Sequence, residues 1–442
     1  MLTLIASLAL AAPSPAQNGV VTYIGPALFK DPAVDGDWGE YSITTQDGPE
    51  TFGLYMPTQT FEPQAPLLVH FHAWRGGHPE VGAFTDFMWE AEQRGWILVC
   101  PDQDVPGLDR ATYGNDEAQR RFKAVIDWAT SQPFVNPNKV YAYGFSMGGG
   151  DVLSYAAQSL DPDGVVFAAI AQNAGTLCLA EEYGGNLDAR SSLELAMGGT
   201  PSQMPFAYRR ASSLDYDDLL GFDLSLDHTA RNLARTPIDT WYSNNDRALL
   251  RDFSENLDLV VDDHTIHRRN TRRHDWDTFD YAAVCDWFEG KERTIRQSGE
   301  LVVARDARYF DVWVEREDPA AFGRMAFDLE GDQILPNDAL LFTDLENISS
   351  LRVDALITGV PRTFLVQLEA DVDEPRTFYL DGYGDGSISD APPSFVLLRL
   401  GGAFMPAVPG VHWTMEGSTL VLSTPRSASA GELASWVVFG RP

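Results

Sequence analysis

The sequence predicts an α/β fold, a doubly wound and mainly parallel sheet covered by helices, followed by a C-terminal all-β, sandwich-like domain. Three observations carry that expectation. From about residue 20 to residue 289, short apolar runs alternate with helical periodicity, the rhythm of strands joined by helices. Between Thr176 and Pro237 the rhythm lapses. After Lys291 the chain turns to short β-type runs separated by Gly, Pro, Asp and Asn. For 442 residues two domains are expected, at 17–293 and 298–442.

The elements follow in order. Met1 to Ala12 is almost wholly apolar, and Ser14-Pro15-Ala16 supplies the small residues of a cleavage site, so residues 1–16 read as a signal peptide. That places the mature protein outside the cytoplasm, secreted or periplasmic, although the basic residue that usually precedes such a run is missing. Leu67 to Phe71 reads as a strand, and Phe84 to Arg94 as a helix stopped by Gly95. Trp96 to Cys100 is the next strand, ended by Pro101. Asn115 suits the cap of a helix running to Ala129, with Phe122, Val125, Ile126 and Ala129 on one face. Val140 to Tyr143 is a strand, and Asp151 to Gln158 a helix. Val165 to Ile170 and Ile238 to Tyr242 are further strands, and a helix over Phe279 to Phe288 closes the region. Helices between strands imply right-handed crossovers. The stretch 176–237, with Gly184-Gly185, Gly198-Gly199 and several prolines, reads as an irregular, lid-like insertion over the site. Beyond Lys291 the β-type runs begin at Leu301, Tyr309, Arg324, Leu351, Thr363, Phe395, Thr419 and Ser435.

Charge narrows the function. Asp plus Glu total 64 against 32 Lys plus Arg, a formal net charge of -32. Such a surface repels nucleic-acid phosphates and anionic lipid headgroups, so neither is an expected partner. No segment after the leader reaches the ~18 consecutive apolar residues of a membrane-spanning helix. The cysteines, Cys100, Cys178 and Cys285, form neither a disulfide framework nor a C-x-x-C site. In an exported protein Cys178–Cys285 is the expected bridge, because Cys100 sits in an apolar strand run typical of a buried thiol.

The chemistry concentrates at Gly144-Phe145-Ser146-Met147-Gly148-Gly149, with a strand before it and a helix after it. A sharp strand-to-helix turn holds Ser146 in a strained conformation above the sheet edge, and the flanking glycines leave room for the close approach. The backbone N–H of Met147, at the helix N-terminus, then points at a developing oxyanion. In a nucleophile–acid–histidine chain order the base lies C-terminal to Ser146. His274, on the loop entering the last helix of the first domain, is the candidate; His264 and His267 sit in a late strand, and His412 in the β-rich region. The acid is expected in the turn Ser243-Asn244-Asn245-Asp246 after the Ile238 strand, hence Asp246. The second oxyanion donor is expected in the loop His72-Ala73-Trp74-Arg75-Gly76-Gly77, with Trp74 nominated and Ala73 the alternate. His72 reads as a brace for that loop. No cofactor or metal is expected, since His70, His72 and His78 lack supporting ligands.

On these residues the chain from about Val20 to Glu289 resembles the α/β-hydrolase superfamily. The nearer likeness is to secreted esterases and depolymerases, polyhydroxybutyrate-depolymerase-like and feruloyl-esterase-like, and to the hydrolase domain of the prolyl-oligopeptidase family. Leu67 to Trp74 is similar to their strand followed by His-Gly-x, with Ala73 in place of the glycine. Arg273-His274-Asp275-Trp276 resembles their histidine turn. The resemblance implies a Ser146–His274–Asp246 triad cleaving carboxylic esters, polymeric or carbohydrate-linked ones among them, through an acyl-enzyme. A serine peptidase is the alternative within enzymes. The alternative of another class is a non-catalytic polymer- or carbohydrate-binding protein, with Tyr379, Tyr383, Trp413 and Trp436 as candidates for its binding face.

Overall fold

Strand residues alternate between two faces, and here both faces are apolar because both are covered. In β4 (Ala65–Phe71), Leu67, Val69 and Phe71 enter one core while Leu68 enters another. In β5 (Ile97–Pro101), Ile97 and Val99 divide from Leu98 and Cys100 in the same way. The same alternation runs through β6 (Val135–Phe145), where Val140 and Ala142 oppose Tyr141, Tyr143 and Phe145. One core is closed by α3 (Asp116–Thr130) and α4 (Met147–Gln158), the other by α2 (Phe87–Arg94) and α9 (Tyr281–Glu289).

The computed structural model describes residues 19–59, 63–215, 228–329, 339–354, 363–369, 375–383, 393, 395–400, 403–424 and 433–439. The expected signal peptide (1–16), residues 216–227 of the expected lid, and the end of the β-type run that begins at Leu351 lie outside them. By internal contacts the chain divides into two units, one of residues 1–157 and 164–294, the other of residues 158–163 and 295–442.

In the first unit the described residues form a nine-stranded sheet in the order β1-β2-β3-β5-β4-β6-β7-β8-β9, where β1 is Val21–Pro26, β2 Asp37–Thr45, β3 Gly48–Met56, β7 Ala169–Asn173, β8 Ile238–Ser243 and β9 His264–Arg269. From β5 to β9 every pairing is parallel. β1, β2 and β3 add an antiparallel edge, with β3 joined to β5. Strand order reverses beside β4, which pairs with β5 on one side and β6 on the other. Crevices at the carboxyl ends of strands form at such a switch point.

Several expectations shift in detail. The helix read from Phe84 to Arg94 begins at Phe87 (α2), and Phe84 instead ends a separate helix, α1 (Pro79–Phe84), followed by Thr85, whose hydroxyl donates to the Val81 carbonyl at 2.6 Å. The strand read from Val165 begins at Ala169, although Val165 to Ala168 are buried. The described part of 176–237 contains α5 (Leu179–Gly185), α6 (Arg190–Met197) and α7 (Pro205–Ala211) rather than irregular chain. No Cys178–Cys285 bridge forms; Cys100, Cys178 and Cys285 are buried free thiols. Cys178 packs in the core that holds Val152 and Ala230, Cys285 in the one that holds Tyr141 and Phe288, so the sheet stands between them.

The second unit consists of two sheets around one core among the described residues. One is seven-stranded, ordered β10-β13-β14-β16-β22-β18-β19, with β13 Gly323–Asp328, β14 Ala339–Glu346, β16 Thr363–Glu369, β18 Phe395–Leu400 and β19 Ala403–Pro406. The other is six-stranded, ordered β11-β12-β15-β17-β21-β20, with β11 Ala307–Tyr309, β12 Val312–Arg316, β15 Ile348–Asp354, β17 Thr377–Asp381, β20 Trp413–Glu416 and β21 Thr419–Ser423. Its strands run from β10 (Ser298–Val303) to β22 (Leu433–Phe439). Val312 and Val314 point inward while Trp313 between them is exposed, the two-residue period of a strand with one wet face. Trp436 and Tyr383, candidates for a binding face, are fully buried in this core. Trp413 packs against it, and Tyr379 lies under the Arg352 guanidinium at 4.6 Å.

Candidate active site

Ser146 lies between β6 and α4 with φ 58, a left-handed conformation that is costly for a residue with a side chain. Its backbone is held from both sides. The Ser146 N–H donates to the Asn173 carbonyl at 2.9 Å, and the Ser146 carbonyl accepts from Thr176 and Gly149 at 3.0 Å each. The neighbouring glycines are required by space. A Cβ on Gly144 would stand 2.0 Å from the Gly148 carbonyl oxygen, and one on Gly148 would stand 2.1 Å from that of Phe71. The turn is thus packed directly against the end of β4. Met147 opens α4, so its N–H lies in the first turn, where no carbonyl four residues back belongs to the helix.

His274 belongs to the loop between β9 and α9 and also has a positive φ, 53. Its Nε2 is 2.6 Å from Ser146 Oγ, although the two residues are 128 positions apart. Aromatic packing holds the ring. Phe145 lies 5.0 Å from the His274 ring centroid and 4.3 Å from that of Trp276, and Trp276 in turn stacks on Phe84.

Asp246 sits in the turn after β8, with its side chain buried. Oδ2 accepts the Ser243 N–H at 2.8 Å, and Oδ1 accepts the backbone N–H of His274 at 2.7 Å. The His274 Nδ1 stands 3.7 Å from Oδ1, an ion-pair separation rather than a hydrogen bond. Burial pushes the Asp246 carboxyl up, but the bonds from His274 and Ser243 outweigh it and hold the pKa below the usual carboxylate range. The acid turn and the histidine loop are further tied at Thr271, whose carbonyl accepts from Ser243 Oγ at 3.0 Å and Asn245 Nδ2 at 2.6 Å.

The loop after β4 forms the facing wall. Trp74 lines the same cavity as Ser146 and Met147, which has a volume of about 370 Å³. The alternate, Ala73, has its N–H committed to Glu80 Oε2 at 2.8 Å. His72 braces the loop, its ring nitrogens facing the Ala73 carbonyl at 2.7 Å and the Asp102 carbonyl at 3.0 Å. Asp102 accepts from the His78 backbone N–H at 2.5 Å and from Arg110 Nη2 at 2.8 Å, and Arg110 Nη1 reaches the Gly76 carbonyl at 3.1 Å. Among the described residues no group of three or more His, Cys, Asp or Glu is arranged to hold a metal ion.

The structure therefore brings Ser146, His274, Asp246, Met147 and Trp74 to one cavity. The two late-strand histidines are engaged elsewhere. His267 Nε2 meets Asp239 at 3.1 Å and its ring stacks on Trp241, and His264 Nδ1 meets Asp258 at 2.5 Å. Sequence reasoning missed the supporting residues Glu80, Thr271 and Ser243. Only the cluster Ser243-Asn244-Asn245 carried a signal, and it was read as turn chemistry alone.

No protein-family model matches the chain, and no curated protein matches its sequence. Solved structures do. An S-formylglutathione hydrolase from Agrobacterium tumefaciens matches at 17% identity, over 62% of this chain and 98% of that one, with a TM-score of 0.44. An acetyl xylan esterase from Paenibacillus sp. R4 matches at 14% identity, over 65% of this chain and 92% of that one, with a TM-score of 0.43. An acylaminoacyl peptidase from Pyrococcus horikoshii matches at 15% identity with a TM-score of 0.44; the match covers 59% of this chain and 42% of the peptidase.

Proposed function

We propose that this chain is a serine hydrolase that cleaves carboxylic esters through an acyl-enzyme, with Ser146 as nucleophile, His274 as base and Asp246 as the acid that orients it. The observation that carries the reading is the 2.6 Å contact between Ser146 Oγ and His274 Nε2, backed by a buried carboxylate whose ionised form is favoured.

In this reading His274 Nε2 takes the Ser146 proton as Oγ attacks the ester carbonyl. The imidazolium that forms is drawn toward Asp246 Oδ1, which shortens the 3.7 Å gap at Nδ1 as charge develops. The Met147 N–H, at the positive end of α4, and the Trp74 N–H stabilise the tetrahedral oxyanion. His274 returns the proton to the leaving alkoxide, and water then releases the acid by the same steps in reverse. Every proton is moved by groups of this chain.

The apolar leader and small residues of 1–16 support secretion or export to the periplasm, and the strongly acidic composition suits an exported protein. Polymeric or carbohydrate-linked esters are the substrates the proposal extends to, because Trp74 and Arg273 in the cavity wall are exposed.

The test is hydrolysis of short 4-nitrophenyl esters beside peptide 4-nitroanilides, by wild type and by Ser146→Ala. Ester turnover that falls by ~10⁴-fold or more in the variant is expected. Turnover of anilides rather than esters would move the reading to a peptidase. Ester turnover that survives Ser146→Ala would overturn the assignment of the nucleophile.

A further inference from the structure

The charged groups that line the cavity over Ser146 are unevenly paired. Its charged lining consists of Glu182, Asp246, Arg247, Arg273 and His274. Glu182 is taken: Oε2 accepts from Arg247 Nη2, and Oε1 accepts from Asn186 at 2.6 Å. Arg247 is taken in turn, with its Nη1 on Glu181 Oε1 at 3.2 Å. Asp246 is occupied by Ser243 and His274. Arg273 is different. It is exposed, it lines the cavity next to the residue facing Ser146, and among the described residues its side chain makes no ion pair, hydrogen bond or ring contact.

That freedom is notable in a chain where acidic residues outnumber basic ones, 64 to 32. The other arginine of the cavity lining, Arg247, is held by Glu181 and Glu182, and nearby Arg110 and Arg75 meet Asp102 and Asp109. A guanidinium presents a planar fork suited to a carboxylate. Resting on the esterase reading above, we propose that Arg273 is a specificity residue and that the substrate is an ester with a carboxylate on its acyl or alcohol part, bound as a charge-assisted pair with the Arg273 guanidinium. The acidic surface repels such a substrate at long range, so recognition is confined to this short-range contact.

The experiment compares anionic and neutral ester pairs in wild type, Arg273→Ala and Arg273→Lys. For the acyl side the pair is 4-nitrophenyl hemisuccinate and 4-nitrophenyl methyl succinate. For the alcohol side it is the butyrates of 5-hydroxy-2-nitrobenzoate and of 4-nitrophenol. In at least one pair the ratio of kcat/KM, anionic over neutral, is expected to fall about tenfold or more in Arg273→Ala, mainly through KM, and to recover partly in Arg273→Lys. The ratio reads specificity even if a variant is less stable, because both esters meet the same enzyme. Ratios unchanged by Arg273→Ala in both pairs overturn the proposal, while Ser146-dependent turnover of the neutral esters leaves the esterase reading standing. Absence of turnover with every ester, together with no labelling of Ser146 by a fluorophosphonate, overturns the esterase reading and this proposal with it.

Discussion

At the scale of single residues, the site depends on one carboxylate serving two backbone donors and a ring at once. Asp246 holds the His274 backbone at 2.7 Å and the Ser243 N–H at 2.8 Å, so it shapes the histidine loop, and in the proposed reaction it would also balance the imidazolium. Asp246→Asn keeps the shape but removes the charge and offers an amide where an N–H must be accepted. The expected outcome is a fall in kcat of ~10⁴-fold with little change in KM, measured on a 4-nitrophenyl ester. A change confined to KM would contradict the orienting role. His228 gives a second residue-scale outcome. Burial, opposed by the bond at 2.7 Å between its Nδ1 and the Ser213 carbonyl, brings its pKa down from 6.5 to about 4. Above pH 6.5 both folded and unfolded chains hold it neutral; between 6.5 and about 4 only the unfolded chain takes the proton. Stability therefore drops as pH falls through that window, by about 3 kcal/mol in all. Urea melts of His228→Gln should show a flatter pH dependence there than wild type; identical slopes would contradict it.

At the scale of elements, the site is made by the packing of α4 onto the end of β4. Gly148→Ala places a methyl against the Phe71 carbonyl oxygen, at 2.1 Å, where backbone rather than a movable side chain must yield. A loss of about 2 kcal/mol or more is expected from the urea midpoint, with a larger proportional loss of ester turnover because the turn itself shifts. Full retention of both would show that the turn is not built as described. Much of this level was legible in the sequence. The apolar runs of β4, β5, β6 and β8 are bounded by Pro or Gly, and Asn115 caps α3 as expected, its side chain accepting the Ala118 N–H at 3.0 Å. The antiparallel strands β1 to β3 were missed because alternating polar residues such as Glu40 and Ser42 break their apolar signal. The helices of 176–237 were missed for a different reason. Gly184-Gly185, Gly198 and Pro205 were read as marks of irregular chain, yet they close α5, cap α6 with φ 82 and open α7. The disulfide expectation failed because spacing along the chain says nothing of which sheet face a cysteine occupies.

At the scale of the whole molecule, motif and chain order single out Ser146, Asp246 and His274 as candidates, but not their meeting. It is produced by the parallel sheet, which puts the ends of β4, β6 and β8 along one edge, and by the loop after β9 that folds back across them. The net charge of -32 sets the setting in which this edge works. The most direct test of the meeting is intact-mass and peptide mapping after reaction with a fluorophosphonate at neutral pH. A single adduct on Ser146 is expected in wild type, slowed by orders of magnitude in His274→Ala. An adduct elsewhere, or labelling of Ser146 at the same rate without the imidazole, would contradict the account.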